Sequence, residues 1–173
     1  MPLPSTPAPA LTFPLHSGGD WTLADGTAEA FTIAVFFRGT HCPICKTFLK
    51  EIEEQMDTAR AQGVEIVAVS MDSPERTAKT VEETGVSKLP VGHSLTEASA
   101  REWGLYISAA REGSAEPEVF SEPGLFVIDA QGKLFFAQTQ SAPFTRPDIA
   151  KLLGGLKFAA DNKYPARGTL TAA

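Results

Sequence analysis

The chain has 173 residues, of which 43% are hydrophobic and 21% are charged, a composition typical of a single soluble globular domain. Its formal net charge of −6 argues against a nucleic-acid partner, because such proteins present a basic face. No apolar run is long enough to cross a membrane, and the N-terminus lacks the basic and apolar regions of a signal peptide, so we expect no membrane partner and a cytoplasmic location.

The predicted elements begin after a proline-rich segment. Residues 1–10 contain four prolines, and we expect them to lack fixed structure. Residues 11–160 form the predicted domain. Residues 161–173 form a C-terminal tail, and the sequence leaves open whether this tail packs over the sheet.

The first half of the domain alternates strands with helices. Apolar residues at positions 44, 48, 52 and 56 recur at a spacing of four, which predicts an amphipathic helix. Two continuous apolar runs flank it and predict buried strands. The predicted order is a strand over Phe31–Phe37, a helix from Pro43 to about Gly63, a strand over Val64–Val69, and a helix capped by Ser73 that runs to about Thr84.

The second half adds a hairpin and a closing helix. Gly104–Phe120 carries charges, Gly and Pro, and is interpreted as an exposed insertion or long loop. The other predicted elements are a helix over Leu95–Trp103, a strand over Leu125–Asp129, a strand over Leu134–Gln138 and a helix from Pro147 to about Phe158. This order predicts an α/β protein with a thioredoxin-like fold, in which helices flank a central mixed sheet and further elements are added.

The only two cysteines of the chain, Cys42 and Cys45, enclose Pro43 and Ile44 at the predicted start of a helix. The free amides and positive dipole of a helix start stabilise a thiolate there, and Pro43 fits the first helical position, where its missing N–H costs nothing. Cys45 falls one turn later on the same face, within reach of a disulfide. His41, if protonated, adds a nearby positive charge. This pattern predicts a redox-active dithiol.

Three simpler interpretations remain beside it. The cysteines can be two small buried residues that happen to be close, and His41 can be a solvated loop residue. A zinc site needs four ligands, and the C-x-x-C pair offers only two; His16, His41 and His93 lack the paired spacing of zinc motifs. We therefore expect no metal, and no flavin or nucleotide motif indicates another cofactor.

The segment FFRGTHCPICKTFLKEI resembles the active-site region of the alkyl hydroperoxide reductase/thiol-specific antioxidant (AhpC/TSA) family, and most closely its peroxiredoxin-like members. The similarity continues through GVEIVAVSMDSPE, LPVGHSLTEASAREWGLY and EPGLFVIDAQGKLFFA, and so covers about residues 11–160. The resemblance implies a thioredoxin-like fold, a thiol-dependent antioxidant activity, and a cis peptide bond before Pro123 that faces the cysteines. The alternative for Pro123 is an ordinary strand-initiating proline.

The chain departs from the family pattern P-x-x-x-T-x-x-C. Counted back from Cys45, the threonine position holds Cys42 and the proline position holds Arg38, while Thr40 lies out of register. The family also uses an arginine beside the peroxide, a role for which Arg38 is the candidate. The departures leave the oxidant open.

The resulting hypothesis makes Cys42 the nucleophile and Cys45 the resolving thiol. The family register favours the reverse, since it puts Cys45 at the peroxide-attacking position, and so which cysteine attacks first stays open. We expect support from a set of neighbouring residues: Arg38, Thr40, His41, Pro43 and Pro123. The substrate is a hydroperoxide or, in the alternative, a protein disulfide, and an external thiol of the thioredoxin or glutathione type restores the dithiol. A redox-sensing module without fast turnover is a third hypothesis, and a homodimer is compatible with each.

Overall fold

The computed structural model describes residues 2–170 and consists of a central mixed sheet with helices on both faces. The strands are β1 (Thr12–Pro14), β2 (Asp20–Thr22), β3 (Phe31–Phe36), β4 (Val64–Val69), β5 (Val91–Gly92), β6 (Ile107–Ala109), β7 (Val119–Ser121), β8 (Gly124–Asp129) and β9 (Leu134–Thr139). The helices are α1 (Pro43–Ala61), α2 (Pro74–Thr84), α3 (Glu97–Glu102) and α4 (Ile149–Asn162), with a 3-10 turn over Leu23–Asp25.

The central sheet has the order β5-β4-β3-β8-β9. Strand β3 pairs in parallel with β4 and antiparallel with β8, so it occupies the middle position, and all six of its residues are buried. The predicted mixed sheet and both predicted βα units are confirmed. The short strands β1, β2 and β5 escaped prediction because two or three residues are too few to show a period.

The alternation of side chains along β3 divides the core into two layers. Val35 belongs to the layer beneath α1 and α4. Phe36 belongs to the layer on the other face, where its ring lies 5.4 Å from that of Trp103 and 5.6 Å from that of Phe126. Because all of β3 is buried between the two layers, the loop to α1 starts from a strand that is packed on both faces.

The N-terminal segment is more ordered than its composition predicts. The amide of Ser5 donates to the carbonyl of Leu134 at 2.7 Å, the amide of Leu134 donates to Thr6 at 2.9 Å, and the amide of Ala8 donates to Gly132 at 3.0 Å. The expectation that this segment lacks fixed structure was therefore wrong for residues 5–8, because backbone groups of the β8–β9 hairpin pair with it. In the tail, Gly168 lies beside Pro4, while residues 171–173 are outside the described part.

The region interpreted as an exposed loop contains strands β6 and β7, which pair antiparallel with Ile107 opposite Ser121. We call Ile107–Ser121 the arm. Its base is closed by a 2.7 Å hydrogen bond from the Glu122 amide to the Tyr106 carbonyl. The loop prediction was thus wrong at both ends of the segment, since three-residue strands with mixed polarity give no alternation to detect.

Candidate active site

The loop between β3 and α1 is fixed by the buried carboxylate of Asp72. Its Oδ2 accepts a 2.7 Å hydrogen bond from the Thr40 amide, and its Oδ1 accepts one of 2.7 Å from Arg76 Nε. Gly39 has φ +129°, and a Cβ there would lie 2.5 Å from Asp72 Oδ2. Only glycine combines this conformation with so close an approach. The carboxylate thereby sets the path of the loop that carries the cysteine motif.

Cys42 and Cys45 occupy the first turn of α1, as predicted. Cys42 is the N-cap residue, Pro43 follows at the start of the helix, and the Cys45 amide donates to Cys42 Sγ at 3.4 Å. Both cysteines are free thiols and both are buried, with 2% and 1% of their surfaces exposed. Ile44, which lies between them in sequence, is 38% exposed.

The pKa values of the two thiols are shifted in opposite directions. The pKa of Cys42 is lowered to about 6, first because the Cys45 thiol donates a hydrogen bond to its sulfur, and further because the Cys45 amide and Arg38 stabilise the thiolate against the cost of burial. The same hydrogen bond and deep burial raise the pKa of Cys45 well above its ordinary value. At neutral pH the negative charge therefore resides on Cys42, with Cys45 as its proton-bearing neighbour.

Arg38 lies on the Cys42 side of the site and is enclosed by the arm and its base. Its Nη2 lies 3.2 Å from Glu116 Oε1 and its Nε lies 3.1 Å from Glu122 Oε2. The guanidinium stands 4.7 Å above the centre of the Phe120 ring, a cation–π distance. Only 13% of the Arg38 side chain is exposed, so its orientation is closely constrained.

Arg146 lies on the Cys45 side and was missed from the sequence. Its Nη2 donates to Cys45 Sγ at 3.0 Å, while its Nη1 donates to Gln140 Oε1 at 3.1 Å and to the Pro143 carbonyl at 3.0 Å. It stands 101 positions beyond Cys45, and no spacing rule connects the two. The one available signal is its position next to Pro147, where a helix start was predicted.

His41 differs from the expected cation. Its ring packs edge-on against Phe120, with the ring centres 4.8 Å apart, and its Nδ1 lies 3.5 Å from Arg76 Nη2. Burial lowers the pKa of His41, and the positive charge of Arg38 lowers it further. The lowered pKa favours the neutral imidazole at neutral pH, and this counts against a protonated His41 as a support of the Cys42 thiolate.

Two further predicted residues are placed as follows. The backbone amide of Thr40 donates to Asp72, and its buried hydroxyl has no hydrogen-bond partner among residues 2–170.

Pro123 borders a small cleft together with Phe48 and Arg146. The described residues contain no cis peptide bond, so the predicted cis bond before Pro123 was wrong. Pro123 instead immediately precedes β8 in the trans form, where a missing N–H is tolerated.

Within residues 2–170, no group of three or more His, Cys, Asp and Glu side chains is arranged to hold a metal ion. None of the helices in the same range combines the length and the apolar character required to traverse a bilayer.

Comparisons with known proteins agree with this architecture. The profile of the AhpC/TSA family matches residues 4–137. A Mycobacterium tuberculosis protein that is provisionally named a peroxiredoxin is 26% identical over 135 residues, which are 78% of this chain and 83% of the relative.

Two solved structures share the fold. The peroxidoxin BcpB of Mycobacterium tuberculosis superposes with a TM-score of 0.72 at 16% identity, covering 91% of this chain and 98% of that one. The AhpC protein of Enterococcus faecalis gives a TM-score of 0.74 at 17% identity, covering 94% and 97% of the two chains. With a thiolate-forming dithiol at the start of α1, the chain belongs to the AhpC/TSA family of thiol-dependent peroxidases and has the thioredoxin-like fold of peroxiredoxins.

Proposed function

We propose that the Cys42–Cys45 dithiol reduces hydroperoxides, with Cys42 as the attacking thiolate and Cys45 as the resolving thiol. The observation that carries this proposal is the combination of a lowered Cys42 pKa with 2% exposure of the same residue. A thiolate is the reactive form, and burial limits its reaction partners to small ones. A peroxide group meets this size limit, whereas the disulfide of a folded protein does not.

In the first step the Cys42 thiolate attacks the terminal oxygen of the hydroperoxide. The S–O bond forms as the O–O bond breaks, the sulfur is oxidised to a sulfenic acid, and the leaving oxygen departs as alkoxide or hydroxide and takes up a proton. Arg38 stabilises the thiolate, and Arg146, which donates to the adjacent Cys45 sulfur, supplies positive charge beside the oxygens on which negative charge develops.

In the second step the Cys45 thiol attacks the sulfenic sulfur. An S–S bond forms between Cys42 and Cys45, and the sulfenic oxygen leaves as water. Two equivalents of an external thiol, such as a thioredoxin-type or glutathione-type reductant, then restore the dithiol through a mixed disulfide and become a disulfide themselves. The cycle requires a compartment in which thiols are kept reduced, such as the cytoplasm.

A second candidate function is thiol–disulfide exchange with another protein. The observation that favours it is the 38% exposure of Ile44, which gives a partner an apolar contact next to the motif. The burial of both sulfurs ranks this function below peroxide reduction, since exchange needs an in-line approach of a large partner to Cys42.

The discriminating experiment compares oxidants under single-turnover conditions. Reduced protein is mixed with equal concentrations of hydrogen peroxide, cumene hydroperoxide or oxidised glutathione, and with insulin in a parallel disulfide-reduction assay. We expect loss of both thiols within seconds with at least one peroxide, and slow reaction with the disulfides. The Cys42→Ser variant is the control. Fast insulin reduction together with inertness toward every peroxide would replace the proposal with its alternative.

A further inference from the structure

Within residues 2–170, the arm and its base supply the ion-pair and cation–π partners of Arg38. Glu116 at its far end and Glu122 at its base each place a carboxylate oxygen within 3.2 Å of the guanidinium, and Phe120 lies beneath the plane at 4.7 Å. Arg38 itself immediately precedes the Gly39–His41 turn into the cysteine motif. A segment far away in sequence therefore holds the orientation of a side chain that stabilises the Cys42 thiolate.

Glu116 is built into this position. Its side chain is 3% exposed, and its Oε2 accepts hydrogen bonds from the Arg111 amide at 2.9 Å and from the Ser114 hydroxyl at 3.2 Å. The Arg111 contacts hold the pKa of Glu116 at about 2, so the carboxylate is charged across the working pH range. The tip is tied to α2 by a 3.3 Å hydrogen bond from Arg76 Nη2 to the Ala115 carbonyl.

We propose that Glu116 is a positioning residue, which fixes the orientation of the Arg38 guanidinium and keeps its positive charge near the Cys42 thiolate. The proposal rests on the proposed role of Cys42 as nucleophile, and it assigns a function to the arm, which is otherwise an insertion between α3 and β8. Glu116 acts through Arg38 and touches neither sulfur nor substrate.

A positioning role and a purely electrostatic role of Glu116 predict opposite shifts in the pKa of Cys42 when the Glu116 charge is removed. If Glu116 acted only as a charge, its removal would leave Arg38 more positive and would lower the pKa of Cys42. If it acts by position, its removal frees Arg38 to turn toward solvent, the Cys42 thiolate is stabilised less, and the pKa of Cys42 rises. The charged or titratable groups that face Arg38 and Glu116 in the described chain are Glu122, Arg111, Arg76, His41 and Cys42, and all are left unchanged by the test.

The experiment uses the full chain and three variants. Glu116→Gln removes the charge, Glu116→Asp keeps the charge but shortens the reach by one methylene, and Glu112→Gln is the control, since Glu112 is an exposed carboxylate on the same arm. The rate of Cys42 alkylation by iodoacetamide is measured from pH 5 to 9, with peptide mapping to identify the site.

We expect Glu116→Gln to move the midpoint upward by about half to one pH unit, Glu116→Asp to move it in the same direction, and Glu112→Gln to leave it in place. An unchanged or lowered midpoint in both Glu116 variants would overturn the proposal. Thermal unfolding checks that each variant is folded. If Glu116→Gln does not fold, Glu116→Asp decides alone. This variant keeps the negative charge, so a purely electrostatic role of Glu116 predicts no shift of the Cys42 midpoint for it.

Alkylation requires no peroxide, so this test is independent of the peroxidase assay. A protein that reduces no peroxide but shows the expected shift would lose the proposed function and keep the role of Glu116. The reverse outcome would keep the function and remove the role.

Discussion

The two sides of the dithiol place an arginine next to a sulfur in contrasting ways. On the Cys42 side, Arg38 is paired with two buried carboxylates and an aromatic ring. On the Cys45 side, Arg146 is held by an amide oxygen and backbone carbonyls, and it forms no salt bridge within residues 2–170.

This contrast separates two ways in which an arginine stabilises a thiolate. The charge of Arg38 is largely neutralised by Glu116 and Glu122, so its effect on Cys42 depends on where the guanidinium is held. The charge of Arg146 is not offset by a carboxylate, so its field acts on both sulfurs, and it lowers the pKa of each. One side is therefore sensitive to geometry and the other to charge.

The largest expected effect comes from the sulfurs themselves. Cys42→Ser should reduce the rate of peroxide consumption by roughly 10³-fold or more, as removal of a nucleophile does. Cys45→Ser should still consume one equivalent of peroxide, and the sulfenic acid should persist because no resolving thiol remains. Stopped-flow oxidation with mass analysis measures both. If Cys42→Ser reacts quickly and Cys45→Ser does not, the two sides exchange their roles.

The next effect concerns stability and separates the two arginines. Arg38→Met leaves the buried Glu122 carboxylate without its cation, while Glu116 keeps its contacts with Arg111, and breaking a buried ion pair in this way costs about 3–5 kcal/mol. Arg146→Met leaves no carboxylate behind, and the lost hydrogen bonds should cost only about 1–2 kcal/mol. Urea denaturation of the reduced proteins gives both values. Equal decreases in the free energy of unfolding would show that the ion pairs of Arg38 stabilise the fold no more than the hydrogen bonds of Arg146 do.

A smaller effect tests the loop that supports the Cys42 side. In Gly39→Ala, the new Cβ stands on a residue with φ +129° and collides with Asp72. We expect the free energy of unfolding to fall by about 2 kcal/mol and the thiols to oxidise more slowly. Gly113→Ala is the matched control, because Gly113 has φ +71° and no atom within 4 Å of a new Cβ. The free energy of unfolding of Gly113→Ala should fall by only about 1 kcal/mol. Denaturation curves that coincide for the two variants would argue against a fixed loop.

The smallest effect is expected at His41. Since burial and Arg38 lower its pKa, the neutral imidazole is favoured at neutral pH, and we expect His41→Ala to remove little positive charge near Cys42. The midpoint of Cys42 alkylation should stay within about 0.3 pH units of the wild type, a difference worth about 0.4 kcal/mol. A clear upward shift would restore a protonated His41 as part of the Cys42 side.

Sequence reasoning predicted the parts of the molecule that depend on local pattern. The strand at Phe31, the helix start at Pro43 and the capped helix at Ser73 follow from apolar runs, proline placement and a side-chain cap. The order of the elements predicted the mixed sheet, and the C-x-x-C spacing at a helix start predicted the dithiol. The cis bond that the family resemblance implied at Pro123 is absent from the described residues.

The partners of the dithiol depend on contacts between distant segments. Arg146 reaches Cys45 across 101 positions, and Glu116 reaches Arg38 across 78. No periodicity or spacing encodes such pairs, because the fold alone brings them together. The state of His41 was inaccessible for the same reason, since its neutrality results from burial and from Arg38.

The assignment of the charge to Cys42 is tested most directly in the wild-type protein, where both thiols and both arginines are in place. Reduced protein is treated with a limiting amount of iodoacetamide from pH 5 to 9, and the modified cysteine is identified by peptide mapping. Because the pKa of Cys42 is lowered to about 6, its alkylation should rise through pH 6 and level off near neutrality, with Cys45 unmodified. Preferential labelling of Cys45, or a midpoint near the ordinary thiol value of about 8.5, would contradict the account.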